Sequence, residues 1–151
     1  MGQQLGVLLR AGSFSTGTWA AVRGLYLYPS LPDAAVPLKF GIWDEVLWTM
    51  QPKQWFLFYP AMAAFVALAP CRKVPAAPSW VKDPLAYQTA TQCIIEAIFM
   101  STGLLLAVVT EQVPAIMRQQ QEGLRPEGLT RGFLALLGGI MGCYALATRR
   151  I

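Results

Sequence analysis

The stretch that decides the fold is residues 83–113, DPLAYQTATQCIIEAIFMSTGLLLAVVTEQV. Asp83 followed by Pro84 indicates a helix start, because aspartate caps the free N–H groups of a first turn and proline fits the first helical position. The apolar part, Ala90–Val109, is long enough to cross a hydrocarbon core of about 30 Å, since a helix rises about 1.5 Å per residue. The sequence therefore predicts a transmembrane helix over 84–113.

The composition agrees with a bilayer environment. Of 151 residues, 55% are hydrophobic and only 13% are charged, whereas a soluble domain carries about 25% charged residues. A soluble protein of this composition would lack the charged surface that keeps proteins dispersed, and a lipid-facing band removes that need. The chain is predicted to be an all-α membrane protein with about three short transmembrane helices, preceded by an N-terminal extended and interfacial segment.

Two further apolar runs provide the other predicted spans. Trp55–Ala69 carries no charge and lies within a first predicted transmembrane helix at 53–70, although its length of about 22 Å also suits a re-entrant helix. Gly132–Thr148 is uncharged and predicts the last span, 132–148. The connecting segments are a loop at 71–83, a polar loop at 114–131 and a basic C-terminus at 149–151.

The first 52 residues are predicted to be extended and interfacial. Aromatic residues and arginine within Gly17–Tyr28 favour the membrane–water interface, and a loop packed on a partner is the equal alternative. Three prolines between residues 29 and 37 predict extended chain, because each fixes φ and removes a donor. Phe40–Thr49 has apolar residues opposite two acidic ones, which suits a helix lying at the interface.

The residue inventory argues against an enzyme. The chain has no histidine, so the commonest metal ligand and general base are missing. Its three cysteines form no C-x-x-C pair, and no nucleotide-binding or hydrolase motif is present. We expect no catalytic residues, no metal site and no intrinsic cofactor. The basic residues are scattered, which argues against nucleic acid as a partner.

Glu96 is the most informative single residue, because a carboxylate inside an apolar span is costly and is a functional candidate by default. Steps of three and four residues place a polar and small stripe on one helix face, so the stripe is expected to face protein rather than lipid. The functional hypothesis is that Glu96 is a proton-relay or ligand carboxylate. The structural alternative is that it lies near the headgroups and forms a hydrogen bond to a neighbouring helix. The stripe consists of Gln92, Glu96, Met100, Gly103, Ala107 and Thr110.

Small residues mark candidate helix-packing faces, because they let helix backbones approach closely in membranes. Gly138 and Gly142 form a G-x-x-x-G motif in the last span, extended by Ala135 and Ala145, and Gly103 with Ala107 does the same in the long span. These faces are expected to pack against helices of this chain or of another subunit.

Aromatic and basic residues near the span ends are expected to sit among phospholipid headgroups, with lipids at the surface. Stacking on a pigment or quinone is the alternative for the aromatics. The predicted interfacial residues are Trp43, Trp48, Trp55, Tyr59, Arg72, Lys73, Arg149 and Arg150.

In this general character the chain resembles accessory subunits of mitochondrial or plastid electron-transfer and ATP synthase complexes. Such subunits commonly have a few short spans, basic termini, interfacial aromatics, proline-rich connectors and no cofactor ligands. The resemblance implies a non-catalytic accessory (supernumerary) subunit of the respiratory chain or ATP synthase in the mitochondrial inner membrane. Its partners would be other membrane subunits of a large hetero-oligomeric complex. The alternatives are a thylakoid photosystem subunit and a small proton or ion channel or carrier that uses Glu96.

Overall fold

The computed structural model describes residues 2–68 and 76–149 and is mostly helical. Two short 3-10 turns, Tyr28–Ser30 and Lys53–Leu57, connect some of the longer elements. Those elements are helix α1 (Gly2–Leu27), strands β1 (Val36–Phe40) and β2 (Val46–Met50), and helices α2 (Phe58–Leu68), α3 (Pro84–Met117) and α4 (Leu129–Arg149).

Helices α1 and α3 run parallel and form the main helix pair. Gly6 of α1 lies near Cys93 of α3, and Thr16 lies against Gly103, so the residue numbers of both helices rise together along the interface. Helix α2 packs across α1 in the opposite direction. Helix α4 returns antiparallel to α3, as a hydrogen bond of 3.0 Å between the hydroxyls of Tyr144 and Thr91 shows.

Two helices, α3 and α4, are long and apolar enough to span a membrane. At about 1.5 Å per residue, the 34 residues of α3 extend about 51 Å and the 21 residues of α4 about 32 Å. This length and composition indicate a membrane protein.

The predicted span at 53–70 corresponds to two elements in the described residues. Residues 53–57 form a 3-10 turn, and the 11 residues of α2 extend about 16 Å. Residues 69 and 70 lie outside the described residues. Pro60 sits in the first turn of α2, where a missing N–H does no harm.

The prediction of an extended N-terminal segment was wrong for residues 2–27, which form α1. The predicted interfacial helix at Phe40–Thr49 was also wrong, because these residues form the turn and second strand of a hairpin. Strands β1 and β2 pair antiparallel, with Val36 opposite Met50. The turn places Asp44 at φ 64, a left-handed conformation that aspartate tolerates better than most residues.

A hydrophobic core forms where the hairpin meets α2 and the C-terminal part of α3. Tyr59 is buried there, and its hydroxyl donates a hydrogen bond to the carbonyl oxygen of Pro37. The ring of Tyr59, which was predicted to be interfacial, packs in the core, and its hydroxyl is bonded within the protein. The core consists of Leu31, Val36, Phe56, Tyr59, Val109, Val113, Met117 and Leu124.

The sequence predicts the start of α3 correctly but not its end. At the start, the Asp83 side chain accepts a hydrogen bond of 3.1 Å from the Ala86 amide, as the Asp-Pro pair predicts. At the other end, the helix continues through Pro114 to Met117, four residues beyond the predicted end. A proline so near the helix end disturbs only the last turn. Helix α4 begins three residues before the predicted 132.

Candidate functional site

Helix α1 turns small side chains inward and large apolar side chains outward. Leu8, Trp19 and Tyr26 are 69%, 59% and 72% exposed. A helix in water would show the reverse pattern, because its apolar stripe faces the core. The buried positions follow helical steps of three, four and seven residues and are Gly6, Ser13, Gly17, Ala20 and Gly24.

These small residues allow close backbone contact. A Cβ atom at Gly17 would lie 2.7 Å from the Ala63 carbonyl oxygen and 2.8 Å from the Ala67 amide nitrogen of α2. A Cβ at Gly103 of α3 would lie 2.3 Å from the Thr16 hydroxyl. The predicted packing residue Gly103 therefore lies at the contact between α1 and α3, and the predicted Ala107 is half-buried one turn further along α3.

Glu96 lies inside this α1–α3 contact and is fully buried. One carboxylate oxygen accepts a hydrogen bond of 3.0 Å from the Gln92 amide, and the other accepts one of 3.3 Å from the Ser13 hydroxyl of α1. Ser13 is also fully buried, and its hydroxyl lies 3.0 Å from the Arg10 carbonyl oxygen. The carboxylate thus faces a neighbouring helix and accepts hydrogen bonds from two neutral side chains.

An ion pair closes the other end of the same contact. Arg23 of α1 binds Glu111 of α3 in a two-point geometry, with nitrogen–oxygen distances of 2.5 and 2.9 Å. Its guanidinium also lies over the ring of Tyr26, 5.3 Å from the centroid. The pair is partly exposed, so it fixes the register of two parallel helices more than it adds stability.

The second predicted packing face, on α4, makes no contact within the described part of the chain. A Cβ at Gly138 or Gly142 would meet nothing within 4 Å, and Ala135 and Ala145 are exposed. Helix α4 uses a different face to pack on α3. Beyond its first two residues, its half-buried residues are Phe133, Leu137, Ile140, Tyr144 and Thr148.

Asp44 of the hairpin turn clamps the start of α4. Its two carboxylate oxygens accept hydrogen bonds of 2.7 Å from the Gly128 amide and 2.8 Å from the Thr130 amide. Burial opposes ionisation here, but these amide donors and the nearby charge of Arg131 together lower the pKa of Asp44 below its ordinary value of 3.8. The hairpin thereby caps a helix that begins 85 residues later.

Asp44→Ala is expected to destabilise the protein by about 1–2 kcal/mol at neutral pH, because the first amides of α4 lose their acceptor. Because the pKa of Asp44 is lower in the folded than in the unfolded state, this stabilisation is fully present at pH values above the ordinary carboxyl pKa. It is lost as the pH falls through the pKa of the folded state, because Asp44 then becomes protonated. Denaturant unfolding from pH 7 to pH 3 measures the difference between parent and variant, which should shrink at the acid end. Asp44→Asn, which keeps one acceptor oxygen, should lose less, and an equal loss for both variants would contradict the cap.

The remaining predicted interfacial residues lie at the surface or outside the described residues. Trp43, Trp48 and Trp55 are 67%, 57% and 43% exposed, and Arg149 is exposed in the last turn of α4. Trp43 also stacks under Arg131, whose guanidinium carbon is 4.5 Å from the ring centroid. The predicted sites Arg72, Lys73 and Arg150 lie outside the described residues.

Within residues 2–68 and 76–149, no group of three His, Cys, Asp or Glu side chains could hold a metal ion. Comparison of the chain with protein-family models, with curated proteins and with solved structures finds no match. The residues of the site provide close helix packing around one buried carboxyl group.

Sequence reasoning missed the α1 face, including Ser13 and Gly17. The signal was present as small residues recurring at three- and four-residue steps, the pattern of membrane helix contacts. A search for large apolar residues at helical spacing does not find this buried face, because the large apolar residues of α1 point outward.

Proposed function

We propose that this chain is a non-catalytic accessory subunit of a multisubunit energy-transducing membrane complex and that it joins the complex through α4. The observation that carries the proposal is the unoccupied small-residue face of α4 around Gly138 and Gly142. Lipid chains need no small residues to pack against, whereas helix–helix contact does.

The inward and outward faces of α1 support a membrane location for this helix as well. Exposed residues such as Leu8 and Trp19 would sit in lipid, and the glycine-rich face packs on α2 and α3. Together with α3 and α4, α1 would form a bundle of three membrane helices. In this arrangement α1, α2 and α3 pack against one another, and the small-residue face of α4 around Gly138 and Gly142 is available to a partner.

We further propose the mitochondrial inner membrane as the location and the respiratory chain or ATP synthase as the host. The support is compositional: residues 1–30 contain two arginines and no acid, the bias of organelle targeting segments. A thylakoid photosystem is the alternative host, and co-migrating pigment would identify it.

The proposal is tested by migration on a native gel in mild detergent, with mass spectrometry of the band. We expect the chain to run in a large hetero-oligomeric band. Gly138→Leu with Gly142→Leu should lower its share in that band by about tenfold, since a loss of about 1.4 kcal/mol in association has this effect.

Leu136→Phe is the control for added bulk, because residue 136 lies about 160° from Gly138 and about 120° from Gly142 around the same helix. The Leu136 side chain is 48% exposed, so a larger ring has room. Migration of the parent chain as a stable monomer would remove the proposal. Equal assembly of the double variant and the control would remove α4 as the contact.

A small proton or ion channel or carrier is the second candidate, and the burial of Glu96 favours it. The carboxyl group lies in a candidate span and is bonded by Gln92 and Ser13, which could relay a proton. Intramembrane carboxyl groups of this kind mark ion pathways in many transporters.

A further inference from the structure

A cleft of about 600 Å³ lies where the start of α3 meets the last turns of α4, beside the start of α1. Its volume lies within the range of about 300–1,000 Å³ that is usual for small-molecule sites. It is open to its surroundings and lined mostly by apolar atoms. Its apolar lining includes Leu5, Leu85, Ala90, Ile94, Cys143 and Ala147.

The cleft extends along the first part of α3. Its lining residues there extend from Asp83 to Ile94, which corresponds to about 16 Å along the helix axis. The apolar run of α3 begins at Ala90, so the outer part of the cleft lies at the level of the headgroups and its inner end enters the hydrocarbon core. The acyl chain of a lipid bound at this end of the bundle would therefore begin within the cleft.

Hydroxyl groups lie part-way along the cleft. Tyr144 lines it, and its hydroxyl lies 3.0 Å from the Thr91 hydroxyl on α3. Hydroxyl groups at this level suit the ester region of a phospholipid, because tyrosine places an apolar ring in lipid and its polar tip toward water.

Two exposed cations lie beyond these hydroxyls, toward the outer end of the cleft. Lys82 precedes α3, and Arg149 occupies the last turn of α4, which lies at the same end because the two helices are antiparallel. Asp83 also lines the cleft, but its carboxylate accepts the Ala86 amide as the helix cap. The outer end of the cleft therefore has positive charge near it that suits an anionic group, and the lining of the cleft provides apolar surface for an acyl chain.

We propose that this cleft binds one acyl chain of an anionic phospholipid, with the phosphate between Lys82 and Arg149. The apolar length fixes the chain, and the charge complementarity selects the headgroup. The site is independent of the α4 face proposed for assembly, which involves Gly138 and Gly142 on another part of the helix surface.

The test uses the full chain in phosphatidylcholine vesicles with a trace of spin-labelled phosphatidic acid, and in parallel with spin-labelled phosphatidylcholine. We expect a motionally restricted component that is larger for phosphatidic acid. Ala90→Phe and Ala147→Leu fill the cleft from two different helices and should each remove that component. Val22→Phe, on the exposed face of α1 and outside the cleft, is the control for added bulk.

Lys82→Gln and Arg149→Gln should each reduce the preference for phosphatidic acid by about fivefold, the usual contribution of one basic side chain near an anionic surface. Arg10→Gln is the control for a change in net charge. Unchanged restriction in both filled variants would overturn the site, and an unchanged headgroup preference in both charge variants would overturn the anionic assignment. Displacement of the label by an uncharged isoprenoid quinone, but not by unlabelled phosphatidic acid, would overturn the lipid in favour of a quinone.

Discussion

Gly17→Ala is expected to destabilise the helical bundle by about 3 kcal/mol, although alanine is the better helix former by about 1 kcal/mol. A single methyl group at this position would lie 2.7 and 2.8 Å from backbone atoms of Ala63 and Ala67, and 2.9 Å from the Ala67 side chain. Backbone atoms cannot rotate away, so α1 and α2 must separate. Overpacked sites of this kind cost about 1–3 kcal/mol, and contact with fixed backbone places this one at the upper end.

Gly138→Ala provides the matched control, because it adds the same atom to a helix where nothing lies within 4 Å. The isolated chain should keep its stability or gain up to about 1 kcal/mol from helix propensity. Unfolding of each purified variant in detergent, followed by circular dichroism, measures the opposite signs. Equal effects of the two substitutions would show that the close contact of α1 with α2 does not exist.

The parts of the fold that sequence reasoning predicted are those with strong local signals. Asp83 and Pro84 mark a helix start through capping chemistry, and the uncharged run before Arg149 marks α4. The inward direction of Glu96 follows from helical steps and from the cost of facing lipid with a carboxylate. Each of these inferences needs only neighbouring residues on one element.

The parts that it missed depend on distant partners. The sequence of α1 does not predict a helix, because glycine and serine are weak helix formers. The burial of its small residues depends on contacts with α2 and α3. The hairpin turn depends on Asp44, whose bonding partners Gly128 and Thr130 lie more than 80 residues away in the chain. Tyr59 sits in an aromatic stretch typical of a membrane interface, and only the hairpin buries it.

Glu96 is where the two candidate functions predict different results. Glu96→Leu is expected to destabilise the bundle by about 1–3 kcal/mol, because the Gln92 amide loses its acceptor inside a helix contact. Glu96→Gln keeps the shape and one acceptor, so its stability should lie between those of the parent and the leucine variant. Unfolding in detergent measures both, and Ser13→Ala combined with Glu96→Leu should cost less than the sum of the two changes, since they share one hydrogen bond.

A measurement of proton flux then distinguishes a structural role of Glu96 from a role in proton transport. In liposomes with an imposed pH gradient and an entrapped pH-sensitive dye, a purely structural Glu96 predicts the same leak for the parent, Glu96→Gln and protein-free vesicles. The same variants in the native membrane should then differ only in the amount of assembled complex, which Glu96→Leu lowers most. A parent flux that Glu96→Gln abolishes while assembly is unchanged would instead assign the carboxyl group to a proton path. This pair of readouts is decisive because glutamine has nearly the shape of glutamate but cannot take up and release a proton as a carboxyl group does.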